Sequence, residues 1–487
     1  MSETTLETAA ETARAAPPPS LWTKLAYGFG AVAYGVKDNG FSYFLLLFYS
    51  QVMGVDARLV GLALTIALML DAISDPIVGY WSDNLRSKWG RRHPFMYAAA
   101  VPVAATYFLI WAPPPGWSHA ALFWYLLALA VLIRTFITFY ETPSSALAPE
   151  LTDDYDQRSS LLSWRNYFGW TGGNAMSVAM FLFIFPAFVT ATIANGQFNR
   201  GAYQVYGVVA SILIFAAIMI SALGTHSRIA HLKPPPPKRE LSLGKIFAEM
   251  LETLSDRSFI ALFVATVFAA IATGLAAALS FYITTYFWGF SAQQTGILVL
   301  GVFISAVLGA VMAPVVTRWA GKKNGAMIVG LAAFLGSPLP IVLKLYGVLP
   351  DDPAFVFWFV FLAGVIDVGL IICFQILFTA MIADLVEQAE LRTGRRSEGV
   401  FFAAVTFIRK SVQGFGVMAA SFVLALARFP KGVAPADMDP AVVWRLGAYY
   451  VPAILGLWLM MMAVISTYRL SRGDHEENLR KLTARRK

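Results

Sequence analysis

LVGLALTIALMLDAISDPIVGYWSDNLRSKWGRR, residues 59 to 92, carries two opposed signals. From Leu59 to Tyr80 the stretch is apolar over the roughly 20 residues that a helix needs to cross a bilayer, and it ends in a basic turn containing Arg86, Lys88, Arg91 and Arg92. Yet Asp71 and Asp75 stand in its middle, one helical turn apart, with Pro76 directly after. A carboxylate at mid-membrane depth costs roughly 2.5–3.5 kcal/mol on insertion scales, so two on one helix face require a cation, a proton or a basic side chain beside them. The stretch therefore reads as a membrane helix with an ion-linked site inside it.

The whole chain follows the same pattern. Its 487 residues are 58% hydrophobic and 14% charged, and the mean hydropathy is +0.63. That balance excludes an ordinary soluble protein. About twelve apolar segments of spanning length follow one another, centred from Leu45 and Met69 to Val417 and Ile454. Between the sixth and seventh lies Thr225 to Asp256, with Pro234 to Pro237 followed by Lys238 and Arg239. The expected fold is an all-α membrane protein of two six-helix bundles, residues 21–224 and 258–470, joined by a linker at 225–257. Residues 1–20, rich in Ala, Thr, Glu and Pro without a signal-peptide core, and residues 471–487 are expected to be cytoplasmic tails, the first of them disordered. Proline-marked basic turns recur at matching places in the two halves, PIVGYWSDNLRSKWGRR at Pro76 to Arg92 and PVVTRWAGKK at Pro314 to Lys323.

Lys and Arg set the orientation. They collect after the second segment, after the eighth (Arg318, Lys322, Lys323) and after the tenth (Arg392, Arg395, Arg396), whereas Pro113 to His119 and Gly289 to Gln294 have none. Those basic loops are expected to be cytoplasmic, and an even number of spans puts both termini there in a multi-pass protein of the plasma (inner) membrane. Arg428, Lys431 and Arg445 run against the trend. The net charge of +8 is thus a matter of topology, and no nucleic-acid partner is implied.

Several chemistries drop out. Cys373 is alone, so no disulfide forms within the chain. His93, His119, His226, His231 and His475 are scattered over loops and tails without metal-ligand spacing. GFGAVA at Gly28 to Ala33 lies in an apolar segment and follows no strand, so it reads as a close-packing helix face. There is no nucleophile elbow and no phosphate-binding loop. The chain is not expected to be an enzyme, to hold a cofactor or to be driven by ATP. An ion gradient remains as the energy source.

The motifs narrow this further. YGFGA at Tyr27 to Ala31, DAISDP at Asp71 to Pro76, RSKWGRRHP at Arg86 to Pro94 and ADLVEQAELRTGRRSEG at Ala383 to Gly399 resemble, in order and spacing, the glycoside–pentoside–hexuronide:cation symporters, the family of melibiose permease within the major facilitator superfamily. The resemblance implies two bundles rocking about a midplane site. It places Asp71, Asp75, Thr138 and Glu141 at the coupling cation, Na⁺ or H⁺. It places Arg165 and Lys410 at the substrate, with Asp38, Tyr140, Thr406 and Glu141 as further candidates. Asp83, Arg86, Arg91, Arg92, Glu387, Glu390 and Arg396, at helix ends, are expected to gate by pairing across the cytoplasmic face. Bland alternatives stay open. The helix II acids could pair with a buried Lys or Arg for packing, Lys410 could be an anchor at a helix end, and Asp38 could pair with Lys37 or lie at a rim.

An ungapped alignment puts Gly35 where melibiose permease has a sugar-binding aspartate, and Ser145 where a tryptophan packs on the sugar. The implied function is cation-coupled symport of a sugar, glycoside or sugar acid by a monomer in a lipid bilayer. The alternative is sodium-dependent lysophospholipid transport on the same fold, and a more remote one is a non-transporting receptor or regulator.

Overall fold

The computed structural model describes residues 18–152, 154–231, 257–393 and 398–467, with the side chains of 155, 231, 257–259, 383–393 and 398–411 outside that description. The expected tails and linker therefore lie largely outside the described residues. Among these residues there is no strand.

Twelve helical elements follow in chain order. They are α1 (residues 21–52), α2 (Ala57–Asn84), α3 (His93–Trp111), α4 (His119–Leu151), α5 (residues 155–187), α6 (Arg200–His226), α7 (residues 257–287), α8 (292–320), α9 (322–345), α10 (Pro353–Thr393), α11 (Glu398–Leu426) and α12 (Pro440–Ser466). Nine helices among the described residues are long and apolar enough to cross a membrane. One of these, Ala292–Leu345, runs 54 residues, about twice what a crossing requires. It breaks at Gly321, whose φ of 75° glycine adopts without strain, and so supplies both α8 and α9. Two more crossings are α1, interrupted by π-helical turns, and α11, of which Val412–Leu426 is an apolar stretch.

Within each bundle the same pair of helices meets through glycine. In the first, α1 lies against α5, where a Cβ on Gly35 would meet the Gly169 backbone and one on Gly173 the Gly35 carbonyl. In the second, α7 lies against α11, where a Cβ on Gly416 would meet the Ile271 carbonyl and one on Gly274 the Gln413 carbonyl. Lipid supplies no hydrophobic drive between helices, so backbone approach through small residues is what holds them. The same packing explains Gly35 locally, because no side chain fits there.

The bundles touch one another along α2 and α11. Thr65 donates to the Gly414 carbonyl at 2.7 Å, and Gly61 faces Ser421. Contacts then concentrate at the end reached by the last residues of α1. Phe44 packs on Phe281 at 4.9 Å between ring centres, and Phe181 on Phe281 at 4.6 Å. Ser50 hydrogen-bonds Tyr282, Thr285 donates to Gln197 at 2.8 Å, Gly432 N–H donates to Gln51 at 3.2 Å, and Lys431 pairs with Asp56 at 3.3 Å. Four π-helical turns, Gly40–Phe44, Phe48–Val52, Met180–Ile184 and Ile283–Phe287, lie at this end. Such turns widen a helix locally and re-aim its side chains. Beyond Leu68, Ile73, Ile77, Tyr80 and Trp81 of α2 are exposed, whereas Asp71, Val78 and Ser82 stay buried. The described contacts thus close the bundles at the Phe44–Phe281 end.

Candidate functional site

The two acids of α2 sit where its apolar pattern places them, one turn apart before Pro76, a residue that leaves the Ala72 carbonyl without its helical partner. Across from them α4 presents Arg134, Thr138 and Glu141 at helical spacing, so the three share a face. Asp71 is 2% exposed. Its Oδ2 accepts from Arg134 Nη1 at 3.1 Å, and Thr138 Oγ1 lies 3.1 Å from both Asp71 Oδ1 and Asp75 Oδ1. The same hydroxyl is 2.9 Å from the Arg134 carbonyl. A threonine has one proton to donate, and three acceptors surround it. Two carboxylate oxygens, a hydroxyl and a carbonyl are the hard oxygen donors that Na⁺ takes. Phe41 of α1 covers the guanidinium, with Arg134 Cζ 4.9 Å from the ring centre.

A second cluster links α1, α4 and α5. Arg165 donates from Nε to the Tyr34 hydroxyl at 3.0 Å, from Nη1 to the Tyr27 hydroxyl at 3.1 Å and from Nη2 to the Glu141 carbonyl at 3.3 Å. Glu141 therefore belongs by its side to the α4 face with Thr138 and by its backbone to Arg165. Tyr27, Tyr34, Asp38 and Phe41 recur at near-helical intervals, so one face of α1 runs from the Arg165 cluster to the Arg134 cluster. Asp38 is 52% exposed on that face and pairs with Lys37, itself 2% exposed, at 2.7 Å.

Other candidates fall elsewhere. Tyr140 is 1% exposed and packs inside the first bundle, where its hydroxyl would meet a Cβ on Gly30. Asp83, Arg91 and Arg92 pair within the first bundle: Arg92 with Asp83 and with Glu150 at 2.9 Å, and Arg91 with Glu150 at 2.8 Å. Arg86 is exposed in the loop that follows α2. Arg396 lies outside the described residues, and the side chains of Glu387, Glu390, Thr406 and Lys410 lie outside them too, although helices α10 and α11 carry these four. Two histidines assigned to loops are in fact helical and adjacent. His93 opens α3 fully buried, 3.0 Å from Thr225 Oγ1, and its ring lies 5.9 Å from that of His226 at the end of α6. No metal-binding group of His, Cys, Asp and Glu occurs among the described residues.

Arg134, Glu150 and Asp367 escaped the reading of the sequence. The rule that singled out Asp71 would have found Arg134 and Asp367, since each is a charge inside an apolar span.

Residues 26–472 match a family profile described as MFS/sugar transport protein. The chain is 27% identical to an uncharacterised symporter of Synechocystis sp., covering 95% of this chain and 96% of that one. It is 22% identical to a glucuronide carrier protein homolog of Escherichia coli, over 96% of each. It is also 22% identical to a sodium-dependent lysophosphatidylcholine symporter of Danio rerio, over 95% of this chain and 88% of that one. Among solved structures, a bacterial homologue of human drug peptide transporters superposes with a TM-score of 0.60 at 14% identity, covering 95% of this chain and 98% of the other, a likeness of fold alone.

Proposed function

Since the chain belongs to the MFS/sugar transport protein family, among the glycoside–pentoside–hexuronide:cation symporters, and is an integral multi-pass membrane transporter rather than an enzyme, we propose that it moves a sugar, glycoside or sugar acid together with Na⁺ or H⁺. The observation that carries this reading is the oxygen cluster of Asp71, Asp75 and Thr138 with Arg134 beside it. A cation entering the cluster competes with the Arg134 guanidinium for Asp71, and Thr138 turns its lone pairs to the ion. Freed from Asp71, Arg134 keeps the Phe41 face, so the ion's arrival is felt on α1. Arg165 and Glu141, tied to α1 and α5, offer donors and an acceptor to hydroxyls of a solute. Asp38 faces that space in the same scheme, and Lys410 is assigned to it by the family resemblance alone. On this reading the basic loops and both termini are cytoplasmic, so the end closed by Phe44, Phe281 and Tyr282 faces outward.

The test is thermal stability of the purified protein across Na⁺ concentrations. Na⁺ should raise the melting temperature, and Asp75→Asn should abolish the rise while leaving the melting temperature without Na⁺ close to wild type, because the exchange holds shape and removes one anionic ligand. A Na⁺ response surviving in Asp75→Asn sinks the site. Absence of any Na⁺ response in wild type, with a pH response lost in Asp75→Asn, assigns the proton instead.

The lysolipid alternative draws on the exposed apolar side of α2, Ile73 and Ile77, and on the resemblance to the lysophosphatidylcholine symporter. A tail would contribute about 0.8 kcal/mol per buried methylene, so affinity would climb steeply with acyl length. Sugar binding instead depends on paired hydroxyls and would be lost in Arg165→Lys, which removes the planar fork. Binding of a glycoside and sugar-acid panel, measured beside lysolipids of increasing length, separates the two.

A further inference from the structure

The second bundle holds a carboxyl that the cation site does not use. Asp367 lies midway along the span Pro353–Ile382, in FLAGVIDVGLIICF, and is the one charged residue of that span. Its Oδ1 is buried and meets no hydrogen-bond partner among the described residues. The carboxyl has a hydrogen bond with Ser337, which stands at the break between the helix ending at Gly336 and Leu339–Leu345, just before Pro338. Tyr450 of α12 lies near enough to feel its charge.

The surroundings hold no counter-ion among the described side chains. Residues 292–317 of α8, 324–343 of α9, 260–287 of α7 and 412–426 of α11 contain no Asp, Glu, Lys or Arg. Among the described side chains of the neighbouring elements the cations are at the ends, and the side chains of Arg409 and Lys410 of α11 lie outside the described residues. Arg318, Lys322 and Lys323 lie near the Gly321 break. Lys344 hydrogen-bonds the Phe287 carbonyl and sits over the rings of Phe287 and Trp288. Arg445 of α12 donates to the Ala427 carbonyl at 3.1 Å. An ionised carboxylate with a single hydroxyl for company and one oxygen unmatched is not sustained in such a place, whereas the neutral acid is.

We propose that Asp367 is a proton-binding site of the second bundle, separate from the Asp71–Asp75 cluster. The carboxylate takes a proton from water, an O–H bond forms at one carboxyl oxygen, and the product is a neutral acid held by Ser337. When water reaches this part of the bundle the same bond breaks and the proton returns to water. Because Ser337 caps one helix and Pro338 begins the next, gain or loss of that proton is felt at the break in α9. The inference depends neither on the substrate class nor on what the first bundle binds.

The full-length protein in nanodiscs of phosphatidylethanolamine and phosphatidylglycerol, with the proton itself as probe, provides the test. Infrared difference spectra at neutral pH should contain the C=O stretch of a protonated carboxylic acid that exchanges slowly in D₂O. Asp367→Asn should remove that band, and Asp71→Asn and Asp75→Asn should leave it. Asp367→Glu should shift its frequency without abolishing it, which keeps the test valid if Asp367→Asn fails to fold. Any Na⁺-dependent melting shift should persist in both Asp367 variants. A spectrum unchanged by Asp367→Asn and by Asp367→Glu, or a wild-type spectrum with no such band at neutral pH, overturns the proposal by showing an ionised Asp367.

Discussion

The two bundles share a scaffold and differ in how they treat charge at mid-depth. Both seat their first helix on their fifth through glycines, Gly35, Gly169 and Gly173 in one and Gly274 and Gly416 in the other. Both carry a charged residue near the middle of their fourth helix, Arg134 in α4 and Asp367 in α10. In the first bundle that residue is neutralised by a partner, since Asp71 of α2 accepts from Arg134. In the second, the described residues of α8 that answer to α2 have no acid or base before Arg318, and Asp367 has a hydrogen bond with Ser337 and no cation beside it among the described side chains. A repeated fold thus fixes where a buried charge can stand. Whether it is met by an opposite charge or by a proton is decided by single residues on the facing helix.

The sharpest way to break that contrast is to remove one member of the paired charge. Asp71→Asn leaves Arg134 buried without its carboxylate, and the loss should be about 3–5 kcal/mol of stability, as for other broken buried pairs. Replacing both residues together, Asp71→Asn with Arg134→Met, should recover most of it, because no uncompensated charge is left. Denaturant unfolding in one lipid-detergent mixture measures the four corners of this cycle. Additive losses would mean that the pair is not a unit, and the contrast with Asp367 would lapse.

A middle-sized effect tests the shared scaffold. Gly35→Ala and Gly416→Ala each push a methyl into a backbone carbonyl of the neighbouring helix, of Gly169 and Ile271 respectively. Each should cost about 1–3 kcal/mol, the usual range for overpacking. Similar losses on the two sides, read from melting curves, sharpen the equivalence of the bundles. A loss confined to one of them shows that the repeat is geometric and not energetic.

The smallest effect concerns the ion pair that joins the bundles at the closed end. Hydrogen bonding from Arg58, reinforced by Lys431, holds the Asp56 carboxyl down to about 2 against its burial. A depressed value adds stability above the unfolded value near 3.8 that is lost as pH falls toward about 2. No pH dependence from Asp56 should appear near neutrality. Asp56 is largely solvated, so Asp56→Asn should change stability by no more than about 1 kcal/mol. Its visible consequence should be conformational: a cysteine-accessibility probe at Ser421 should react faster in Asp56→Asn when the outer end loosens, and an unchanged rate would assign the closure to the aromatic contacts of Phe44 and Phe281 alone.

Much of this was legible in the sequence. The length and apolarity of α2 through α7 gave the spans, the charge rule in membranes marked Asp71 and Asp75 before any partner was visible, and the family resemblance added Glu141. The glycines of GFGAVA read correctly as helix packing, since Gly28 faces Trp164 and Gly30 faces Tyr140 and Ser221. The pairing of gate residues was less accessible. Asp83, Arg91 and Arg92 lie in one short stretch, yet Glu150, the common partner of the two arginines, comes from the far end of α4. His93 and His226 likewise look like loop residues because each stands at a helix end, and only the folding together of α3 and α6 brings their rings together, the first buried and the second exposed.

By itself the sequence determined the class of the molecule, the number and order of its apolar spans, the place of its acids within them and the gathering of Lys and Arg in particular loops. These depend on composition and on distance along a helix, which a 1.5 Å rise per residue converts directly into depth. Only the tertiary structure decided that Asp71 takes Arg134, 63 residues away, that Asp367 takes no cation among the described side chains, and that the bundles close at the end of the π-helical turns. Those outcomes turn on how each helix is rotated about its axis and which neighbour it faces. Hydrophobicity leaves that rotation undetermined in a solvent as apolar as lipid, and close packing of small residues with the matching of buried polar groups sets it.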